Sequence, residues 1–220
     1  MWLSLRVGSL AVAVALPVAF ALAWLLARGR FPGRVLLDGL VHLPLVLPPV
    51  VTGWLLLLAF APAGPVGSLI ERWTGETVLF RWTGAVIAAA VMALPLMVRA
   101  MRLSIEAVDR RLESAARTLG AGRTRVFATI TLPLSLPGVL AGAVLGFARA
   151  LGEFGATITF VSNVPGETQT LPLAIYDALQ VPGREPAVLR LALISVALAL
   201  GALILSEVLT RRSGRRLHVL

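Results

Sequence analysis

The chain of 220 residues contains no cysteine, no lysine and only two histidines, and each of these scarcities excludes a class of site. Without cysteine it can form neither a disulfide bond nor a thiolate metal site. His42 and His218 are too few for a histidine-based catalytic set or a zinc site. A P-loop needs a lysine on the nucleotide phosphates, so any ATP that drives this protein must be hydrolysed by another polypeptide. We therefore expect no catalytic residue, no cofactor and no metal ion in this chain.

Charged residues are also scarce, at 14% against about 25% in soluble domains, whereas hydrophobic residues reach 58%. The net charge of +9 comes from twenty arginines, and a basic total can indicate a nucleic-acid partner. Here the arginines concentrate in the connections between apolar runs, a distribution typical of membrane proteins. The composition predicts an all-α polytopic membrane protein that contacts lipid and binds no nucleic acid.

Five apolar runs are long enough to cross a bilayer, which takes roughly twenty helical residues. The predicted spans are 3–27, 35–61, 82–101, 137 to about 161, and 187–209. The second is interrupted by Pro44, Pro48, Pro49 and Gly53. It should be kinked or partly unwound, with its freed backbone groups turned toward protein or a cavity rather than lipid.

The arginines fall unevenly on the two sides of these spans. Fourteen follow the first, third and fifth spans, against five on the opposite side. The fourteen are Arg28, Arg30, Arg34, Arg99, Arg102, Arg110, Arg111, Arg117, Arg123, Arg125, Arg211, Arg212, Arg215 and Arg216. Positively charged loops stay in the cytoplasm, which predicts an N-terminus outside and a C-terminus inside. A cleaved signal peptide in place of the first span would invert this pattern, so we expect that span to be retained.

The segment ESAARTLGAGRTRVFATITLP, residues 113–133, is a charged insert with helical periodicity between the third and fourth spans. Leu112, Ala115, Ala116 and Leu119 recur at i, i+3, i+4 and i+7, and polar residues fill the other face. This pattern predicts a short amphipathic helix. Gly120 should end it in the left-handed conformation.

The same segment resembles the cytoplasmic loop of ABC importer permeases. The signature of that loop is Glu-Ala-Ala, three residues, Gly, nine residues, then Ile-x-Leu-Pro. The residues here that stand at this spacing are Ala115, Ala116, Gly120, Ile130, Leu132 and Pro133. Ser114 holds the position of the family's glutamate and Glu113 precedes it, so the usual acidic contact is absent or displaced by one residue. An ordinary basic loop would explain the arginines but not the spacing.

The fourth span carries glycines and an ion pair. Gly138, Gly142 and Gly146 form a groove for close approach of another helix, either in this chain or in a partner subunit. Arg149 and Glu153 stand at i, i+4. They form either a self-neutralising intrahelical pair or part of a pathway or gate. The candidates for a translocation path or gate are Arg149, Glu153, Phe154, Gly155, Thr157 and Thr159.

A second polar pair lies in the interrupted second span. Asp38 and His42 also stand at i, i+4. They either line a cavity or satisfy each other near the cytoplasmic interface.

From about Arg99 to Pro186 the sequence looks like the permease subunit of molybdate ABC transporters. The runs that carry the resemblance are LESAARTLGAGRTRVFATITLPLSLPG and FARALGEFGATITFVSNVPGETQTLPLAIY. GEFGA alone also fits sulfate permeases, and the continuation after it favours molybdate. A permease for sulfate, tungstate or phosphate is the alternative, and a secondary transporter or channel is a more distant one.

The resemblance implies a single transmembrane permease domain over residues 1–220, with type I ABC importer permease architecture and a coupling loop at about 102–136. It implies a homodimer in the bacterial inner membrane, two cytoplasmic ATP-binding ABC subunits, and a periplasmic or lipid-anchored molybdate-binding protein. Polar contacts to the ATPase are expected from Arg111, Glu113, Ser114 and Arg117. Leu112, Ala115, Ala116 and Leu119 are expected to fix the helix against its own permease or the floor of the ATPase groove.

Overall fold

The computed structural model describes the backbone of residues 1–217 and the side chains of residues 1–205, Glu207 and Val208. His218 and the side chains of the last four arginines lie outside the described residues. The helices are α1 (Trp2–Arg28), α2 (Arg34–Val46), α3 (Pro49–Phe60), α4 (Gly67–Thr74), α5 (Trp82–Ala107), α6 (Arg110–Thr118), α7 (Arg123–Val126), α8 (Leu132–Leu151), α9 (Gly155–Phe160), α10 (Leu171–Leu179) and α11 (Glu185–Leu217), with a π segment (Phe127–Thr131) joining α7 to α8. The described part of the chain contains no strand, so the predicted all-α class is confirmed.

Four helical stretches are long and apolar enough to cross a membrane. They are Trp2–Arg28, Trp82–Ala107, Arg123–Leu151 and Glu185–Leu205. The prediction that the fourth span begins near residue 137 was wrong, because the helix starts fourteen residues earlier at Arg123 and continues through the π segment. Its predicted end near residue 161 was also wrong, because α8 stops at Leu151 and α9 follows after a break.

The predicted break in the second span is confirmed. The chain bends by 116° between α2 and α3. Leu47 and Pro48 are extended, with ψ of 142° and 133°. A residue before proline is driven out of the helical region, and proline itself cannot donate to the helix ladder. The tandem prolines therefore end α2 and start α3.

α1 and α5 run in the same direction. The guanidinium carbon of Arg6 lies 4.0 Å from the ring centre of Trp82, so the two helices start at one end of the molecule. At the other end Arg28 donates to the carbonyl of Val108, which directly follows α5, at 3.4 Å. The chain between them must return from the arginine-rich end to the opposite end.

The bent pair α2–α3 makes this return. Asp38 in α2 accepts hydrogen bonds from Arg102 near the arginine-rich end of α5. Phe60 at the end of α3 packs edge-on against Phe160, with ring centres 5.7 Å apart. Phe160 also lies beside Gly84 at the start of α5. α8 then runs antiparallel to α5, and α11 runs back alongside α8, so the chain passes between the two ends five times, with the bent pair α2–α3 as the second pass.

Small residues bring the central helices together. The buried face of α1 is a line of alanines, Ala11, Ala15, Ala19 and Ala23, packed against α5. The glycine groove of α8 also meets α5, because a Cβ added at Gly138 would lie 2.1 Å from Cβ of Ser104. Of the two alternatives for this groove, the structure therefore selects a helix of the same chain.

Candidate functional site: the helix α6 and the polar break after α8

The predicted amphipathic helix is present as α6, and both ends are capped by side-chain or backbone groups. Asp109 precedes it and accepts a hydrogen bond from the backbone N–H of Arg111 at 2.8 Å, as an N-cap aspartate does. At the other end Gly120 has φ of +86°. The N–H of Ala121 donates to Ala116 at 3.0 Å, and that of Gly120 to Arg117 at 2.9 Å. These two bonds form a Schellman motif, so the predicted left-handed stop is confirmed.

The apolar face of α6 is only partly covered by its own chain. None of its residues is buried. Leu112 is 49% exposed, and Leu119, just after the helix, is 89% exposed. Ala115 is exposed as well, and Ala116 is half-buried. Most of this face is therefore an apolar surface available to another protein, and only Ala116 and part of Leu112 contact the chain itself.

Glu113 points inward, unlike its neighbours on the polar face. Its Oε1 atom accepts a hydrogen bond from Nη2 of Arg28 at 3.0 Å and another from the hydroxyl of Thr131 at 2.8 Å. The side chains of Arg28 and Glu113 are each only 13% exposed. Charge-assisted bonds with both groups partly desolvated are among the stronger polar contacts. Glu113 therefore attaches α6 to the end of α1 and to the π segment.

Ser114 stands where the permease signature has glutamate, and it does not replace the acid. It is exposed, and its hydroxyl donates to the carbonyl of Arg110 at 3.0 Å. Arg111 and Arg117 are exposed too. Ile130, Leu132 and Pro133 lie half-buried in the helix that follows. The acid displaced by one residue thus serves an internal contact. Of the other expected polar contacts, Arg111 is exposed, whereas the exposed Ser114 and Arg117 also line a cavity between α1, α6 and α7.

Sequence reasoning missed three residues of this site, Asp109, Arg28 and Thr131. Asp109 carried a usable signal, because an aspartate directly before an amphipathic run is a typical N-cap. Arg28 and Thr131 carried none, since their part depends on contacts across 85 and 18 positions.

The break between α8 and α9 is organised by Glu153, which is 3% exposed. Its Oε1 atom accepts a hydrogen bond from the backbone N–H of Ala156 at 2.8 Å, so the carboxylate caps the start of α9. Its Oε2 atom lies 2.6 Å from Nη1 of Arg149 but has no hydrogen-bond partner. The predicted pair of Arg149 and Glu153 therefore exists, but it is not intrahelical, because α8 ends at Leu151 and Glu153 lies in the break, where it also caps α9.

The other pathway candidates gather around the same break. The ring centre of Phe154 lies 4.9 Å from that of Tyr176 in α10. A Cβ added at Gly155 would lie 2.7 Å from Cβ of Pro49, so α9 begins against the start of α3. Thr157 is buried, whereas Thr159 is half-buried and its hydroxyl donates to the carbonyl of Gly155 at 3.0 Å. The structure thus brings the six candidates to one place between α3, α8 and α10.

Asp38 and His42 belong to a larger network at the arginine-rich end. Both carboxylate oxygens of Asp38 lie 3.1 Å from Nη1 of Arg102, and Nε of Arg102 donates to Glu106 at 2.9 Å. Nδ1 of His42 lies 2.9 Å from the carbonyl oxygen of Asp38. The locally satisfied alternative is therefore the one that the structure supports, and Arg102 extends it between α2 and α5.

Known proteins are similar to this chain in sequence and in fold. The chain is 60% identical over 214 residues to the molybdenum transport system permease protein ModB of Escherichia coli (strain K12), covering 97% of this chain and 93% of that protein. Identity to ModB of Haemophilus influenzae is 57%, covering 98% and 94%. Identity to the sulfate transport system permease protein CysT of Escherichia coli (strain K12) is 37%, covering 89% and 70%.

A solved structure of a bacterial alginate ABC transporter, in complex with an alginate pentasaccharide-bound periplasmic protein, contains a similar chain. The TM-score is 0.73 at 17% identity, covering 96% of this chain and 77% of that chain. This likeness extends to the fold, which is that of an ABC importer permease. Residues 15–215 match the family described as binding-protein-dependent transport system inner membrane component. The chain therefore belongs to this family of inner membrane components of binding-protein-dependent transport systems.

Proposed function

We propose that this chain is the permease subunit of an ATP-driven importer and forms the translocation path for molybdate. The observation that supports molybdate as the substrate is the 60% identity to ModB over nearly the whole chain, against 37% to the sulfate permease CysT. This difference, together with coverage of 93% of ModB but 70% of CysT, favours molybdate. Tungstate is expected to follow the same path because its size and charge are similar.

The exposed helix α6 supports docking of a separate ATPase. The chain has no lysine and so no P-loop of its own. Leu112 and Leu119 present apolar surface to the outside, flanked by the exposed Arg111 and Arg117. An apolar core with a charged rim is typical of a protein interface. In this proposal two cytoplasmic ATP-binding subunits each receive one α6 from a permease homodimer.

The arginine-rich end of the molecule is proposed to face the cytoplasm. α1, α5 and α11 all run toward this end, and the loops there carry most of the arginines. Positive-inside topology then places the start of α1 outside and the end of α11 inside. Substrate is delivered on the outer side by a periplasmic or lipid-anchored binding protein, which sets most of the selectivity.

Alternating access is the proposed mechanism, with Glu113 as the link between α6 and the spans. When ATP closes the two ATPases, each α6 is drawn toward the other. Because Oε1 of Glu113 is bonded to both Arg28 and Thr131, the displacement reaches α1 and the helix leading into α8 together. Rigid helices then carry the motion to the break at Glu153, where α3, α8 and α9 meet.

Uptake of labelled molybdate tests the substrate. Cells that lack this chain should lose ATP-dependent uptake, and the wild-type chain should restore it only when the ATPase and the binding protein are also present. Tungstate should compete strongly and sulfate poorly. Normal molybdate uptake without this chain, with sulfate uptake lost instead, would move the assignment to sulfate.

Co-purification of the ATPase tests the coupling helix. Ala115→Glu adds bulk and charge to the exposed apolar face and should abolish both transport and ATPase association while the protein stays in the membrane. Thr118→Ala is the control, because Thr118 is exposed and its hydroxyl bonds only the carbonyl of Ala115. Full transport and full association in Ala115→Glu would refute docking through this face, and uptake without any associated ATPase would favour a secondary transporter.

A further inference from the structure

A positively charged cavity of about 430 Å³ lies at the arginine-rich end, between α1, α6 and α7. Four arginines and one glutamate line it: Arg28, Arg110, Arg117, Arg123 and Glu113. The carboxylate oxygen that Arg28 and Thr131 share is already engaged, and Nε of Arg28 is buried without a hydrogen-bond partner. The cavity therefore has more guanidinium groups than acceptors and is complementary to an anion.

An apolar groove of about 530 Å³ continues from this cavity along the outer side of α1. Trp24, Arg123 and Phe127 line both spaces. The groove is otherwise formed by Phe20, Ala21, Leu25 and Thr124. The rings of Trp24 and Phe127 meet edge-on with centres 4.9 Å apart and form its wall. α1 is long and apolar enough to cross a membrane, and Ala21 and Leu25 of the groove are exposed, so a bilayer around the chain would bring acyl chains against the groove.

We propose that the cavity and the groove together form a binding site for one anionic phospholipid. The phosphate lies among the guanidinium groups of the cavity, and an acyl chain follows the groove past Trp24 and Phe20. Arginine binds phosphate with a planar, bidentate geometry, and basic pockets between transmembrane helices are known to select anionic headgroups. The proposal depends on the membrane location of the chain and is independent of which anion it transports.

The combination of the two spaces distinguishes a lipid from other anions. A free oxyanion would neutralise the arginines but leave the apolar groove empty. An acidic side chain of an ATPase would also reach only the cavity, because the groove runs toward the hydrocarbon region. A phospholipid has a charged head and an apolar tail joined at the position where Arg123 lines both spaces.

Native mass spectrometry of the full-length chain tests this proposal, using phosphatidylglycerol and phosphatidylcholine as probes. Phosphatidylglycerol should be retained in preference to phosphatidylcholine. Arg123→Gln should lower its apparent affinity about fivefold, the factor expected when one arginine near an anionic headgroup is removed. Arg125→Gln is the matched control, because Arg125 is exposed, lies two positions later and lines neither space. An equal loss in both variants would show a diffuse surface effect and overturn the site.

Three further measurements decide between the occupants. Ala21→Trp fills the groove without changing charge and should also reduce retention; unchanged retention in the folded variant would overturn the role of the groove. Millimolar phosphate or molybdate should not displace the lipid, and displacement would assign the cavity to a free oxyanion. The lipid should remain bound after the ATPase assembles; its loss would assign the arginines to the ATPase. If Ala21→Trp fails to fold, the comparison of Arg123→Gln with Arg125→Gln decides alone.

Discussion

Glu113 of α6 and Arg28 at the end of α1 are 85 positions apart in the sequence and are joined by a 3.0 Å hydrogen-bonded ion pair. The pair is mostly shielded from solvent, with 13% of each side chain exposed. It connects the only inward-pointing acid of the exposed helix to the first membrane span. Coupling between α6 and the membrane part of the protein therefore runs through a defined polar contact as well as through the chain itself.

Removing the acid of this pair should uncouple α6. Glu113→Ala leaves Arg28 partly buried without its carboxylate, which should destabilise the protein by about 3 kcal/mol. Thermal unfolding in detergent measures the loss, and molybdate uptake should fall with it. Ser114→Ala is the control for stability, because Ser114 is exposed and its hydroxyl bonds the carbonyl of Arg110. Equal stability of the two variants would show that the Arg28 contact contributes little.

The left-handed turn after α6 should tolerate only glycine well. Gly120→Val forces a β-branched residue to φ of +86°, at a cost of at least about 1–2 kcal/mol. A Cβ at Gly120 would meet nothing within 4 Å, so the strain is conformational and membrane insertion should persist while transport is lost. Gly122→Ala, at φ of −67° and equally open, should transport normally. Full uptake by Gly120→Val would contradict a coupling role for this turn.

A second substitution that restores stability can test the contact between α5 and α8. Gly138→Ala places a Cβ 2.1 Å from Cβ of Ser104, so the helices must separate and the unfolding midpoint should fall. Ser104→Gly removes the colliding atoms and should restore part of the loss. Gly39→Ala, inside α2 where a Cβ meets nothing within 4 Å, should not lower the midpoint, because alanine favours a helix interior more than glycine does. A double variant no more stable than Gly138→Ala would show that this collision is not the cause.

Substitutions at Glu153 and Arg149 can separate a structural role of these residues from a role in the translocation path. Glu153→Ala loses the cap on the N–H of Ala156, which should cost about 1 kcal/mol, whereas Glu153→Gln can still accept that hydrogen bond. Arg149→Ala leaves the buried carboxylate of Glu153 without its ion-pair partner and should lower stability, and a path role predicts a larger loss of uptake than this loss of stability explains. Uptake and unfolding are therefore measured on the same preparations. A loss of uptake that only follows the loss of stability would leave Arg149 and Glu153 with a purely structural role.

Topology can be read by thiol labelling in this naturally cysteine-free chain. A cysteine at Gly122 lies beside α6 and should react with a membrane-impermeant reagent only from the cytoplasmic side. A cysteine at Thr77, in the exposed loop before α5, should react in intact cells. The reverse pattern would invert the proposed orientation.

Features determined by local backbone chemistry were predictable from the sequence. Gly120 had to adopt positive φ to end a short helix, and tandem prolines had to break the second span. The direction of Glu113 was not predictable, because its partner Arg28 is distant in sequence. The start of α8 was missed for a different reason. Proline usually interrupts the interior of a helix, so the sequence did not reveal that one helical stretch runs from Arg123 through Pro133 and Pro137 to Leu151.

The π segment before α8 also has a rotational consequence. The N–H of Leu132 donates to Phe127, five residues back, so this turn holds one residue more than an α-helical turn. One residue corresponds to about 100° of rotation around a helix axis. With the same residues in an uninterrupted α-helix, α7 and the α6 helix before it would therefore be turned through roughly a quarter of a circle relative to α8, so the wide turn sets the direction in which α6 is held.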